Sequence, residues 1–130
     1  MLPKGILFDF DGVVVDSFES HYSAWVSAFR ELFGEQITPF PKSYAGKSPM
    51  IIATYFCSVI GKETQAEELY FLKDKHLDVN FITPKLLPGV FEITKFLNEE
   101  NINYGIASNA TKLFLKNSIH HLNINRTLYQ

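Results

Sequence analysis

The sequence has one cysteine, Cys57, and one tryptophan. It has no uninterrupted apolar run approaching the roughly 18 residues that a membrane-spanning helix needs. A lone cysteine excludes an internal disulfide and suits a reducing compartment. Its plainest role is that of a small buried apolar side chain. The 12 basic residues form no block, and against 14 acidic ones they leave a net charge of −2. That argues against an extended nucleic-acid-binding face. The N-terminal apolar stretch is short and interrupted by Asp9 and Asp11, which the apolar region of a signal peptide does not carry. A soluble cytoplasmic protein is therefore expected, with neither nucleic acid nor membrane as partner. Internal repeats and low-complexity segments are missing as well.

What the chain does have is apolar mass. Of 130 residues 46% are hydrophobic, and 12 are phenylalanine. That is enough for a packed core in one domain, or for a small core carrying an inserted lobe. GILFDF, residues 5–10, reads as a buried strand, and Gly12 supplies a turn after it. From Ser17 to Phe33 the apolar residues Tyr22, Trp25, Val26, Phe29, Leu32 and Phe33 recur at spacings of three and four. This predicts an amphipathic helix, with Ser17 and Ser20 as starting caps and Gly34 as its end.

Residues 35–49 hold three of the six prolines and Gly46, and read as a connector. A second helix is predicted from Pro49 to Ile60, and a third from Glu63 to about Leu77. FITPKLLPGV, residues 81–90, reads as a linker. It is followed by a helix over 90–100, a strand over 103–108 and a helix over 111–121. The last nine residues are undecided. Strands separated by helices favour a parallel α/β sheet. The expected fold is therefore α/β, a partial Rossmann-like parallel sheet core with an inserted α-helical domain. The core would comprise residues 1–15 and 84–130, and the helical insertion residues 16–83.

Asp9 and Asp11 lie two apart at the end of the first strand. Side chains alternate along a strand, so both carboxylates point the same way if the extended geometry continues through Phe10. In open parallel sheets ligands gather beyond the carboxyl ends of the strands. Two carboxylates there repel unless a cation lies between them, and Mg²⁺, a hard ion that prefers oxygen ligands, suits the position. Such a pair could also divide nucleophilic and acid/base work. Spacing alone leaves a plainer alternative open, in which Asp11 before Gly12 merely shapes a turn. Ser108 also has two readings: a phosphate-binding hydroxyl before a helix, or an ordinary helix cap.

DFDGVVVDS, residues 9–17, closely resembles the first motif, DxDG[TV]xxDS, of the haloacid dehalogenase-like phosphohydrolases. DSFESHYSAW, residues 16–25, resembles the continuation of that motif in the β-phosphoglucomutase-like branch. LPGVFEITKFLNEENINYGIASNA, residues 87–110, is similar to that branch's later segment, with Ser108 as the second-motif residue. The resemblance implies Asp9 as nucleophile and Asp11 as acid/base. It implies Mg²⁺ held by the Asp9 side chain and the Asp11 backbone carbonyl. Ser108 and Asn109 would hold the phosphoryl group, and the insertion would be a cap that selects a small phosphorylated metabolite. In the cap, His21 would assist near the hinge and Lys47, beside Gly46 and Ser48, would face the substrate.

The same resemblance leads one to expect a later lysine and a later acidic metal ligand, and neither occurs in these 130 residues. Lys112 and Lys116 come too early to be that lysine. The chain thus corresponds to the N-terminal two-thirds of such an enzyme, with an incomplete sheet edge open to self-association. The expected function is a Mg²⁺-dependent phosphohydrolase acting on a small, sugar phosphate-like monoester through an aspartyl-phosphate. One alternative is a phosphosugar mutase of the β-phosphoglucomutase type, although KSPMIIA after Gly46 lacks the arginine that the mutases place there. Another is a non-catalytic fragment with a binding or structural role. Asp11 disfavours dehalogenase and phosphonate chemistry, in which that acid is usually missing. A receiver-like module is disfavoured by the long helical insertion.

Overall fold

The computed structural model describes residues 1–39, 42–44, 46–124 and 127–128. The chain divides into two compact units. One comprises Met1–Ser17 and Thr83–Gln130, the other Phe18–Ile82.

The first unit is built on a parallel sheet of β1 (Gly5–Asp9), β4 (Asn103–Ala107) and β5 (Thr127–Leu128), in the order β1-β4-β5. The β1–β4 register runs from Gly5 opposite Asn103 to Asp9 opposite Ala107. A second, two-residue ribbon pairs β2 (Val15–Asp16) antiparallel with β3 (Lys85–Leu86). Two helices accompany the sheet, α4 (Val90–Glu99) and α5 (Lys112–Leu122). The core of this unit gathers Phe10, Val15, Leu97, Ile106, Phe114, Leu115 and Ile119. β4 is the central strand and buries Tyr104, Gly105 and Ile106 in succession, as expected where both faces of a parallel strand are covered.

β1 differs from the sequence expectation of a buried strand. Its residues alternate between exposed and half-buried, Leu7 is 61% exposed, and only the following Phe10 is fully buried. The cause is topological. Among the described residues β1 has a neighbour on one side only, and an edge strand keeps much of its surface in water. Two further strands lie in stretches that the sequence reads otherwise. β3 falls within the expected linker, and β5 within the undecided tail.

The second unit is helical: α1 (Phe18–Phe33), α2 (Pro49–Val59) and α3 (Ala66–Val79), with short 3₁₀ turns at Lys42–Tyr44 and Glu63–Gln65. Pro49 occupies the first turn of α2, where its missing N–H is no loss, and the Ser48 hydroxyl accepts from the Ile51 N–H. Trp25, Ala28 and Phe29 of α1 pack with Ile52, Ala53, Phe56 and Cys57 of α2 and with Leu69 of α3. Phe56 lies between Trp25 and Phe29, its ring centroid 5.8 and 6.2 Å from theirs. Ala24 and Ala28 are buried alongside the large residues, small side chains that let neighbouring helices approach.

Lys73 of α3 is 2% exposed. Its ammonium lies 5.5 Å from the centroid of the Trp25 ring and 3.4 Å from Asp74 Oδ1. A buried lysine is tolerated when its charge has partners of this kind. Burial pushes the Asp74 carboxyl up, against the pull of Lys73 and, more weakly, of His21.

Candidate active site at the carboxyl end of the parallel sheet

The local chain path sets the positions of the two aspartates. Phe10 fills the core, and its N–H donates both to the Ala107 carbonyl at 3.0 Å and to Asp9 Oδ1 at 2.8 Å. Its carbonyl in turn accepts from the N–H groups of Val13, Val14 and Val15 at 3.3, 2.9 and 3.2 Å. The chain thus wraps around the buried Phe10, and Gly12 makes the turn at φ +80°, a conformation that costs any residue with a Cβ. Asp9 is left exposed at the strand end and Asp11 half-buried just after it. The strand stops at Asp9, so the extended geometry does not continue through Phe10 to Asp11.

Parallel pairing brings the end of β4 to the same edge. Ser108 follows Ala107, the register partner of Asp9. Its hydroxyl donates to Asp11 Oδ2 at 2.9 Å and accepts from the Ala110 N–H at 3.0 Å. The other oxygen, Asp11 Oδ1, accepts from the Ser17 hydroxyl at 2.5 Å. The Asp11 carboxylate is therefore held between hydroxyls from the two segments of this unit. Asn109 is exposed beside Ser108. The capping of α5 falls to Thr111, whose hydroxyl accepts from the Phe114 N–H at 3.1 Å. Ser108 is thereby relieved of the plain role of helix cap that the sequence left open for it.

Of the six residues singled out in the sequence, the structure brings Asp9, Asp11, Ser108 and Asn109 together on this edge. His21 and Lys47 belong to the helical unit. His21 is half-buried on α1. Lys47 is exposed ahead of α2, with its ammonium 5.6 Å from the centroid of the Tyr44 ring. Ser17 is the participant that sequence reasoning missed. It stands inside the quoted motif, but a serine just before an amphipathic helix reads first as a cap. Its burial, at 5% exposed, and its bond to Asp11 show a different use.

The donors available for a metal are oxygens: the exposed Asp9 carboxylate and the Asp11 main-chain carbonyl. Mg²⁺ takes one or two protein carboxylates and completes its shell with water and substrate phosphate, so this donor set fits part of its shell. Among the described residues no group of three or more His, Cys, Asp or Glu side chains is placed to hold a metal ion.

Comparisons with known proteins agree with this architecture. The family model of haloacid dehalogenase-like hydrolases matches residues 6–129. The chain is 29% identical over 127 residues to the β-phosphoglucomutase of Bacillus subtilis (strain 168), a match covering 89% of this chain and 56% of that one. It superposes on the crystal structure of β-phosphoglucomutase from Clostridium difficile with a TM-score of 0.72 and 21% identity, over 98% of this chain and 60% of that one. A haloacid dehalogenase-like hydrolase from Streptococcus pneumoniae gives 0.73 and 19%, over 97% and 60%. At those identities the structural likeness speaks for the fold alone. The chain spans about three-fifths of the length of these relatives. With a family model matched along nearly its whole length and the fold of the family's solved structures, the chain belongs to the haloacid dehalogenase-like hydrolases.

Proposed function

We propose that the chain carries the nucleophile-bearing part of a Mg²⁺-dependent phosphohydrolase for a small, sugar phosphate-like monoester. The observation that carries this reading is the shared edge. The β1–β4 register and the Ser108–Asp11 hydrogen bond join two carboxylates and a hydroxyl at the carboxyl end of one parallel sheet, the end at which such sheets bind ligands.

In this reading Asp9 attacks phosphorus with a carboxylate oxygen, and the bond from phosphorus to the leaving alcohol oxygen breaks. Asp11 gives that oxygen a proton. A water then attacks the aspartyl-phosphate and passes a proton to Asp11, and the Asp9–phosphorus bond breaks to release inorganic phosphate. The exposed position of Asp9 suits a group that must meet substrate in line, and the hydroxyls on Asp11 keep the second carboxylate beside it. Ser108 and Asn109 hold the phosphoryl oxygens. Mg²⁺, bound by the Asp9 carboxylate and the Asp11 carbonyl, would supply positive charge against the phosphoryl group. The helical unit serves as the cap, with His21 and Lys47 as its contributions to substrate handling.

A second reading has a specific observation behind it: the curated relative at 29% identity is a β-phosphoglucomutase. In a mutase a sugar hydroxyl, not water, receives the phosphoryl group from Asp9. Both readings share the first half-reaction and one test. Hydrolysis of p-nitrophenyl phosphate is expected to require Mg²⁺ and to be abolished by Asp9→Asn at unchanged circular dichroism. Activity that survives the substitution would overturn both. Release of phosphate from β-glucose 1-phosphate, in contrast to its conversion to the 6-phosphate, would separate them.

A further inference from the structure

The Ser108 hydroxyl carries one proton, and in this structure that proton is committed. Its oxygen accepts the Ala110 N–H at 3.0 Å, and its O–H points at Asp11 Oδ2 at 2.9 Å. A hydroxyl can accept more than once but donate only once. A phosphoryl oxygen is an acceptor, so Ser108 can hold it only by withdrawing its proton from Asp11. The geometry points to a built-in latch: Asp11 occupies the phosphate-binding hydroxyl until an anion displaces it, and the displacement removes the Ser108 bond from Asp11 Oδ2. This inference rests on the phosphate-site reading of Ser108 and goes beyond it. It makes binding of the anion and release of the acid/base group a single exchange of one hydrogen bond.

Ser17 gives the exchange its second half. Its hydroxyl donates to the other oxygen, Asp11 Oδ1, from a buried position. When Ser108 lets go, Asp11 stays tethered on that side, so it does not swing away into water. Ser17 is thus a positioning residue that acts through Asp11. The two hydroxyls lie 91 positions apart in sequence, from Ser17 to Ser108, yet converge on one carboxylate. Hydrogen bonds from hydroxyls to an ionised acceptor are among the stronger ones, so the competition should be measurable.

The test is a double-variant cycle read by direct binding. Inorganic phosphate is titrated into the full chain at fixed excess Mg²⁺, with the shift of the Ala110 amide in the ¹⁵N–¹H spectrum as the signal. Asp11→Ala removes the competing acceptor and is expected to tighten phosphate binding roughly tenfold, about the effect of one hydrogen bond to a charged group. In a Ser108→Ala background the same change is expected to give little or no gain, and Ser108→Thr is expected to restore it. Asp11→Asn removes the charge but keeps an acceptor, so its gain should be smaller than that of Asp11→Ala. This second variant also provides the comparison if Asp11→Ala does not fold. Equal gains with and without the Ser108 hydroxyl would mean simple relief of charge repulsion, and the latch would be wrong. Phosphate binding that depends on Ser108 but ignores both Asp11 variants would overturn the latch and leave the phosphate site standing. No phosphate binding by the parent chain or any variant would remove the phosphate site itself, and the latch with it.

Discussion

Glu31 on α1 meets His76 and Lys75 of α3, and the hydrogen bond from His76, ahead of the nearby Lys75 charge, holds its carboxyl below the usual range. A carboxyl lowered on folding contributes stability above its unfolded value and loses it as pH falls through the folded one. Glu31→Gln is therefore expected to lower the urea midpoint above about pH 5, with the gap to the parent closing as the solution is acidified further. A gap that widened in acid would show that the contact works in the opposite sense. On α5, the buried Ser118 hydroxyl has no hydrogen-bond partner among the described residues. Leaving such a group unpaired costs about 1–3 kcal/mol, and alanine is the better helix former. Ser118→Ala is accordingly expected to stabilise the protein by about 1 kcal/mol, read as an upward shift in denaturation midpoint. At this scale the sequence was legible where residues stand in a motif. The pair Asp9 and Asp11 and the later Ser108 stand out by motif. Ser17 was not legible, because a hydroxyl before a helix has a commoner use than holding a carboxylate.

The aromatic contacts of Phe56 help to join α1 to α2. It is fully buried, with Trp25 and Phe29 both within ring-contact range. Phe56→Ala is expected to cost about 3–5 kcal/mol, because the stacked helices can close only part of the cavity. Equilibrium unfolding followed by tryptophan fluorescence reads it directly, since the single tryptophan packs on that ring. Helices were the most legible elements. Periodicity places α1, Pro49 marks the start of α2, and the spans expected for all five helices end within a few positions of those observed. β2, β3 and β5 were not legible, because two residues cannot display a period. Their pairing depends on partners far away in sequence. β1 was legible as a strand but misjudged in burial, since a run such as GILFDF looks the same whether it has one neighbour or two.

Over the whole molecule, that one-sided strand has a solution consequence. The side of β1 that has no strand neighbour among the described residues, with Leu7 exposed, is a template for another strand. Concentration-dependent association of this chain is expected in sedimentation equilibrium. Leu7→Lys is expected to suppress it with little loss of helical signal, since charges on an edge discourage pairing. Association that is indifferent to Leu7→Lys would place the contact elsewhere.

The small β2–β3 ribbon has a different kind of consequence. Asp16 lies opposite Lys85, and the Leu87 N–H reaches back to the Val14 carbonyl, so the chain leaves the α/β unit and re-enters it at neighbouring points. To the sheet, everything from Phe18 to Ile82 is a loop whose ends are already fastened. Doubling the length of such a loop costs only about 0.6 kcal/mol in closure entropy. The ribbon therefore acts as a socket. A lineage could lengthen, shorten or replace the helical insert while the strand ends that carry Asp9 and Asp11 keep their places.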